Sequence, residues 1–379
     1  MDLLEACWLF TGTICPSCLV AWAAVFVVRR QAERWGLVDK PSERKVHLIP
    51  TPLGGGIGIW CGVLGPVTFG TLYLSLLSGT DAESFGLLQF VPTFALEHVA
   101  GLKRQLVGLW VLLGGATIIM LIGLADDRRG LRWQLRLGLQ FAVVAACVSW
   151  QGWRLTAFIP LHVVTWMLSI LWIVAMINSF NMLDNMDGLA GGVAAIAAGI
   201  LAVVLLINPA SAAPQIFVAG FLLVLVGALL GFLLHNRPPA KIFMGDAGSY
   251  FVGFCIAVCT LLATFASSRG DRPWAVFSPL CVMAVPLYDM TTVIWIRLRE
   301  GRSPFHADKN HFSHRLVELG LSKGQAVLTI YLTTATCGLG ALLLPRVDWV
   351  GALIVLSMVG SILALIAILE ASARRKLNS

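Results

Sequence analysis

Charge is scarce in this chain: only 12% of its 379 residues are Asp, Glu, Lys or Arg, about half the ~25% of a soluble domain. With 58% of residues hydrophobic, that excludes a soluble enzyme, a disordered chain and a fibrous one. Internal repeats, low-complexity tracts and linkers are absent as well, and the longest stretches expected to be non-helical are 29–52, 78–104 and 297–324. No basic segment precedes the first apolar run, 7–28, and that run is too long for a signal-peptide core of ~7–15 residues. It is read as a retained membrane helix.

Two kinds of chemistry are missing too. The nine cysteines (Cys7, Cys15, Cys18, Cys61, Cys147, Cys255, Cys259, Cys281 and Cys337) all lie in or beside apolar runs, where cysteine behaves as a small hydrophobe. Cys15-Pro16-Ser17-Cys18 has redox spacing but no surrounding βαβ pattern, so neither a disulfide framework nor a thiol site is expected. Gly54-Gly55-Gly56-Ile57-Gly58 continues into neither a dinucleotide fingerprint nor a P-loop.

What the chain has is long apolar segments. A bilayer-spanning helix takes about 20 residues, and such segments stand near 7–28, 53–77, 105–125, 133–150, 162–180, 188–207, 214–234, 248–267, 275–296, 325–344 and 349–369. The expectation is an all-α polytopic membrane protein of about 11 transmembrane helices, one integral membrane domain over 1–379. Ser322-Lys323-Gly324-Gln325 has capping-box spacing and is expected to start the tenth helix.

Of the 27 Lys and Arg, all but Lys103, Arg104, Arg154, Arg269, Arg272 and Arg346 fall on one side of these segments. Cytoplasmic loops carry that excess, which puts the N-terminus outside and the C-terminus in the cytoplasm. The net charge of +7 is then a face turned to anionic lipid, and no nucleic-acid partner is expected.

Carboxylates crowd the same side: Asp126 and Asp127 end the third segment, Asp184 and Asp187 follow the fifth, Asp246 precedes the eighth, and Asp289 lies inside the ninth. An aspartate at membrane depth costs ~2.5–3.5 kcal/mol unless paired or functional. One Asp-Asp pair alone reads as a solvated helix end; several carboxylates converging on one face read as a site for a hard cation and proton transfer. Asn178, Asn181 and Asp184, spaced by three, fall along one side of a helix, a layout suited to a metal or a sugar. In Lys241-Ile242-Phe243-Met244-Gly245-Asp246 a carboxylate sits among glycines at a helix start, where free N–H groups favour phosphate, with a plain N-cap as the alternative. The loop 303–315 gathers His306, Lys309, His311, His314 and Arg315. Without cysteine and with cationic neighbours, it suits polyphosphate better than zinc.

Five strings in order, GLVDKPSERKVHLIPTPLGGG, IGLADDRRGL, INSFNMLDNMDGLAGG, KIFMGDAGSYFVGF and SPFHADKNHFSHRL, over about 36–325, resemble the polyprenyl-phosphate N-acetylhexosamine-1-phosphate transferase family (glycosyltransferase family 4), above all its bacterial undecaprenyl-phosphate GlcNAc-1-phosphate branch. The resemblance implies a multi-pass protein of the bacterial inner membrane with its active site on the cytoplasmic face. The implied activity moves a sugar phosphate from a UDP-N-acetylhexosamine to a polyprenyl phosphate, with release of UMP. The implied cofactor is Mg²⁺, with Mn²⁺ as a substitute; a homodimer is left open.

By the same resemblance, Asp126 is the base toward the lipid phosphate and Asp127 its orienting or metal-side partner, while Asp246 and Asn181 hold the metal. Asp184, Asp187, Phe243 and Asn178 belong to the nucleotide-sugar site, and Lys45, Arg136, His311, His314 and Arg315 to the phosphates. Two positions depart from the pattern. Ser313 stands where relatives often carry histidine, so Ser313→His is expected to be tolerated, and Asn185 stands where many carry glycine. The histidine-rich loop of the UDP-MurNAc-pentapeptide branch is missing. Outside the family, a transporter would show broken helices at the midplane and paired repeats, and an inactive relative would not need Asp126, Asp127, Asn181 and Asp246 intact.

Overall fold

The computed structural model describes residues 3–39, 50–76, 93–155, 159–207, 215–263, 265, 272–306, 308 and 310–377. They form thirteen α-helices: α1 Leu3–Gln31, α2 Gly55–Leu76, α3 Thr93–Arg129, α4 Trp133–Gln151, α5 His162–Leu183, α6 Leu189–Ile207, α7 Ile216–Asn236, α8 Gly245–Leu262, α9 Ser278–Val282, α10 Ala284–Arg299, α11 Phe312–Glu318, α12 Lys323–Leu343 and α13 Trp349–Leu377. Between α1 and α2 two short strands, β1 Val38–Asp39 and β2 Thr51–Pro52, pair antiparallel, with Val38 opposite Pro52. The protein is an all-α, multi-pass membrane protein.

Helices stand at all eleven expected segments, but not all are equally suited to lipid. Among the described residues nine are long and apolar enough to cross a membrane, and a tenth if the bent pair containing α9 and α10 counts as one span. The remaining helix, α4, carries Gln134, Arg136 and Gln140 in its first half, and two of these serve the site described below. The α9–α10 pair bends by 68°. Pro286 has no N–H for the Val282 carbonyl one turn back, so the ladder breaks there. The capping box forms as expected: Ser322 accepts from Gln325 N–H, and the Gln325 side chain accepts in return from Ser322 N–H.

The core is built around α8, which packs on α2, α3 and α5. Its apolar stretch is 78% buried, against 11% for α13, whose Leu353, Ile354, Leu365, Ile368 and Leu369 face outward, as a lipid-facing helix requires. Close approach is achieved by small residues. A Cβ on Gly56 would stand 2.2 Å from Gly248 N, and one on Gly123 2.4 Å from the Asp246 carbonyl oxygen, so α2 and α3 meet the start of α8 backbone to backbone.

Candidate active site

The polar motifs meet at helix ends. The C-terminal ends of α3, α5 and α7 and the N-terminal ends of α2, α6, α8 and α12 surround one cavity of about 570 Å³, within the size range of ligand pockets. Its walls include Asp39, Asp127, Asn181, Asp184, Asn185, Asp187, Phe243, Asp246, Asp308, His311, His314 and Lys323.

The base of the cavity is set by the start of α8. Gly245 there has φ +70°, and a Cβ would lie 2.7 Å from an Asp127 carboxylate oxygen, so only glycine lets the chain turn this close to that acid. The Asp127 carboxylate accepts the N–H groups of Asp246 (2.8 Å) and Ala247 (3.1 Å). These helix-start donors, expected to be open to phosphate, are therefore already occupied by an anion of the protein's own, supplied from α3. Asp246 is not the N-cap, which is Met244. The connection into α8 is pinned on its other side: Phe243 N–H donates to the Pro52 carbonyl, and Gly55 and Gly56 N–H donate to those of Phe243 and Met244.

Asp126 and Asp127 diverge, as neighbours on a helix must. Asp126 does not line the cavity, but its carboxyl is in hydrogen-bonding contact with that of Asp246, which does. Asp126 Oδ1 accepts from Leu131 N–H (2.7 Å), and its Oδ2 from Arg136 Nη1 (3.0 Å) and the Tyr250 hydroxyl (3.2 Å). Asp126 thus holds Arg136, whose side chain is a quarter exposed and, like that of Asp126, is not among those lining the cavity.

Asn181, in the last turn of α5, donates through Nδ2 to Asp246 Oδ1 at 2.6 Å and to Ser249 Oγ at 3.2 Å. The amide and the acid expected to share a metal are thus in direct contact. Asp184, just past α5, also faces the cavity. Burial, with the charges of Asp127 and Asp187 nearby, pushes its carboxyl up to about 7 despite a hydrogen bond from Gly245 N–H. Asp187 accepts Ala240 N–H at 3.0 Å. Asn236 ties this turn to the α8 entry by accepting from Gly188 N–H and donating to the Ile242 carbonyl, both at 2.8 Å.

The opposite wall comes from the 300–314 segment and α12. His311 and His314 present their rings 6.4 Å apart, and Lys323 joins them. Burial would raise the Asp308 carboxyl, but Arg297, with Asn310, holds it down at about 2. Arg297 bonds both Asp308 oxygens, at 3.2 and 3.0 Å, and so anchors the loop.

Two expected site residues are placed away from the cavity, and a third position has an unforeseen partner. Arg315 does not line the cavity: its guanidinium is buried, donates to the Asn310 carbonyl (2.5 Å) and Thr292 Oγ1 (3.0 Å), and pairs with Glu370 of α13 at 3.0 Å. Asn178 is a turn deeper, donating to Gln140 Oε1 of α4 at 2.7 Å and to the Val174 carbonyl at 2.8 Å. Ser313, 1% exposed, donates its hydroxyl to Asn185 Oδ1. The two departures from the family pattern touch each other, so a histidine at 313 would meet Asn185. Lys45 lies outside the described residues. Asp39, Ser249, Tyr250 and Lys323 were not singled out by sequence reasoning. Asp39, Ser249 and Tyr250 lay within the quoted strings, and Lys323 within the capping box, but nothing local marked any of them as a site residue.

Residues 109–264 match glycosyl transferase family 4. A Bacillus subtilis protein named "Probable undecaprenyl-phosphate N-acetylglucosaminyl 1-phosphate transferase" is 33% identical, over 84% of this chain and 80% of its own length. A decaprenyl-phosphate N-acetylglucosaminephosphotransferase of Mycobacterium tuberculosis is 33% identical over 85% and 79%. An undecaprenyl-phosphate alpha-N-acetylglucosaminyl 1-phosphate transferase of Yersinia pestis is 30% identical over 84% and 79%.

Proposed function

This chain belongs to glycosyl transferase family 4, and we propose that it transfers N-acetylglucosamine 1-phosphate from UDP-N-acetylglucosamine to a polyprenyl phosphate in a bacterial cytoplasmic membrane. The observation that carries this reading is the convergence of Asp127, Asn181, Asp184, Asp187, Asp246, His311 and His314, from separate helix ends, on one cavity. In the reaction a lipid phosphate oxygen attacks the β-phosphorus of the sugar nucleotide. The bond from that phosphorus to the bridging oxygen breaks, and its electron pair leaves on UMP. The first turn of α1 carries no Lys or Arg while its last turn carries Arg29 and Arg30, which supports an outward N-terminus with the cavity on the cytoplasmic face.

Charge decides what else is needed. Asp39, Asp127, Asp184, Asp187, Asp246 and the Arg297-paired Asp308 share the cavity with Lys323 and two histidines, while both reacting groups are anions. Such a wall repels its own substrates unless a cation intervenes, and the donor set of carboxylate and amide oxygens fits a hard one. We assign Asp246 and Asn181 to Mg²⁺, with Mn²⁺ as the alternative. Among the described residues no three His, Cys, Asp or Glu side chains converge as a ready-made metal group, consistent with a Mg²⁺ site built from one or two carboxylates and completed by substrate phosphates. When bound, Mg²⁺ supplies charge neutralisation on the diphosphate.

The protein groups do the rest. Asp127 clamps the start of α8 and thereby fixes Asp246. A phosphate monoester has its second pKa near ~6, so the lipid nucleophile arrives ionised at neutral pH and needs no obligatory base. Asp126 accordingly serves to hold Arg136, whose partly exposed guanidinium meets the lipid phosphate beside the cavity. His311, His314 and Lys323 donate to the diphosphate from the far wall. Phe243 offers a ring to the uracil and Asp187 an acceptor for its N–H. Asp184, protonated about half the time near neutrality, adds a donor beside the sugar phosphate.

Two other occupants remain as outcomes of the test, another UDP-hexosamine and UDP-MurNAc-pentapeptide. The transporter reading has one broken helix pair in its favour, but the polar groups gather at helix ends rather than around that break. Purified protein in detergent, given tritiated UDP-N-acetylglucosamine, undecaprenyl phosphate and Mg²⁺, should carry label into the lipid phase and release UMP one for one. EDTA or Asp246→Asn should abolish transfer while the protein stays folded. Folded wild-type protein that transfers nothing from any UDP-hexosamine would remove the proposal.

A further inference from the structure

Asp289 is a carboxylate the reaction scheme does not use. It lies in α10, one turn past Pro286 in a segment of the membrane domain, and its side chain is wholly buried. A carboxylate there carries a heavy desolvation cost unless its partners repay it. Its partners are two adjacent residues, of which His311 lines the cavity and Phe312 is buried behind it: Oδ1 accepts the backbone N–H of Phe312 at 2.6 Å, and Oδ2 stands 2.9 Å from Nδ1 of His311. His311 is the residue that opens α11, in extended conformation, with its side chain making no cap to that helix. Its ring is oriented by Asp289 instead.

We propose that Asp289 is the positioning residue of the transfer reaction: by accepting the Nδ1 hydrogen of His311 it fixes the ring's orientation and turns Nε2 to the cavity, where the ring, doubly protonated against a bound anion, donates Nε2–H to substrate phosphate. The inference rests on the function proposed above. The hydrogen-bond inventory of imidazole drives it. With Nδ1–H committed to a buried carboxylate, Nε2 is the one ring atom left for a ligand. The Phe312 N–H bond fixes the carboxylate in turn, so ring, acid and backbone form a rigid three-point mount. The row carboxylate, imidazole, phosphate transmits charge complementarity from a buried acid that touches no substrate atom itself.

Asp289→Asn keeps the shape and leaves Oδ1 to accept from Phe312 N–H, but removes the charged acceptor for His311. The expected loss in kcat is about 10- to 100-fold, the range for a group that orients another's ring, with KM for UDP-N-acetylglucosamine changed far less. His311→Gln should cost at least as much, and Asp289→Asn added to it should cost nothing further. Multiplying losses in the double variant would mean that Asp289 acts through the fold and not through His311, and would overturn the proposal. A second measurement reads the native chain itself: in nitrogen-labelled wild-type protein, the His311 signal, assigned by its absence from the spectrum of His311→Gln, should show a protonated Nδ1. A bare Nδ1 would refute the mount outright. Wild-type protein without transfer activity would sink the function itself, whereas active wild type with a fully active Asp289→Asn would sink only this inference.

Discussion

Gly123→Ala isolates the contact on which the site's geometry depends. The added methyl on α3 would lie 2.4 Å from the Asp246 carbonyl oxygen, 2.5 Å from its carbonyl carbon and 2.6 Å from Ala247 N. All three are backbone atoms of the first turn of α8, and none can rotate away. Restoring ordinary contact near ~3.5 Å requires the helices to separate by about 1 Å. That stretches the bond from Asp246 N–H to Asp127, now 2.8 Å, beyond hydrogen-bonding distance, and shifts Asp246 relative to Asn181. Overpacking of this kind costs ~1–3 kcal/mol, which a large helical membrane domain survives, but a displacement of about 1 Å at reacting groups costs about 100-fold in rate. The expected result is a folded, membrane-inserted protein with kcat reduced about 100-fold. Gly114→Ala on the same helix, where a Cβ meets nothing within 4 Å, is the control and should be neutral. Turnover of Gly123→Ala within threefold of wild type, or an equal loss in Gly114→Ala, would refute the claim that α3 and α8 are set by this contact.

Ser313→His should lower transfer, since it breaks the bond to Asn185 and overfills a buried position by ~1–3 kcal/mol. Adding Asn185→Gly frees that space and should recover part of the loss; full activity of the single variant contradicts the packing. The raised Asp184 carboxyl, about 7, means that the native state keeps a proton the unfolded chain has already lost. Between pH ~4 and ~7 the unfolded state binds fewer protons than the native one, so this group's contribution falls as pH rises. The melting temperature of Asp184→Asn in detergent, without substrate, should therefore gain on wild type between pH 5 and 8. A pH-independent difference would show that Asp184 does not titrate there.

Much of this was legible in the sequence because membrane burial imposes simple rules. Apolar runs of spanning length located all eleven helical segments, and polar residues at their ends stood out because a bilayer makes them expensive. The kink in the ninth segment and the polarity of α4 were harder to weigh. One follows from Pro286, the other from Arg136 and Gln140, whose partners Asp126 and Asn178 lie on other helices. The motifs named Asn181, Asp187 and Asp246, which line one cavity. They could not say which of two adjacent aspartates faces it, since that depends on the rotation of α3 against α8. Arg315 looked like a phosphate ligand from its neighbours, yet its partner Glu370 is contributed by the last helix, a contact no local pattern encodes. Asp289 was visible as an anomaly, an acid inside an apolar run, but its histidine partner appears only once α10 and α11 are packed.

The central claim is that the sugar travels together with its phosphate. Giving the enzyme UDP-N-acetylglucosamine radiolabelled in the β-phosphate, with undecaprenyl phosphate and Mg²⁺, tests it directly. The account predicts label in the lipid product and unlabelled UMP in water. Label retained in aqueous UDP while sugar enters the lipid would mean that the glycosidic bond is broken instead, and would contradict it.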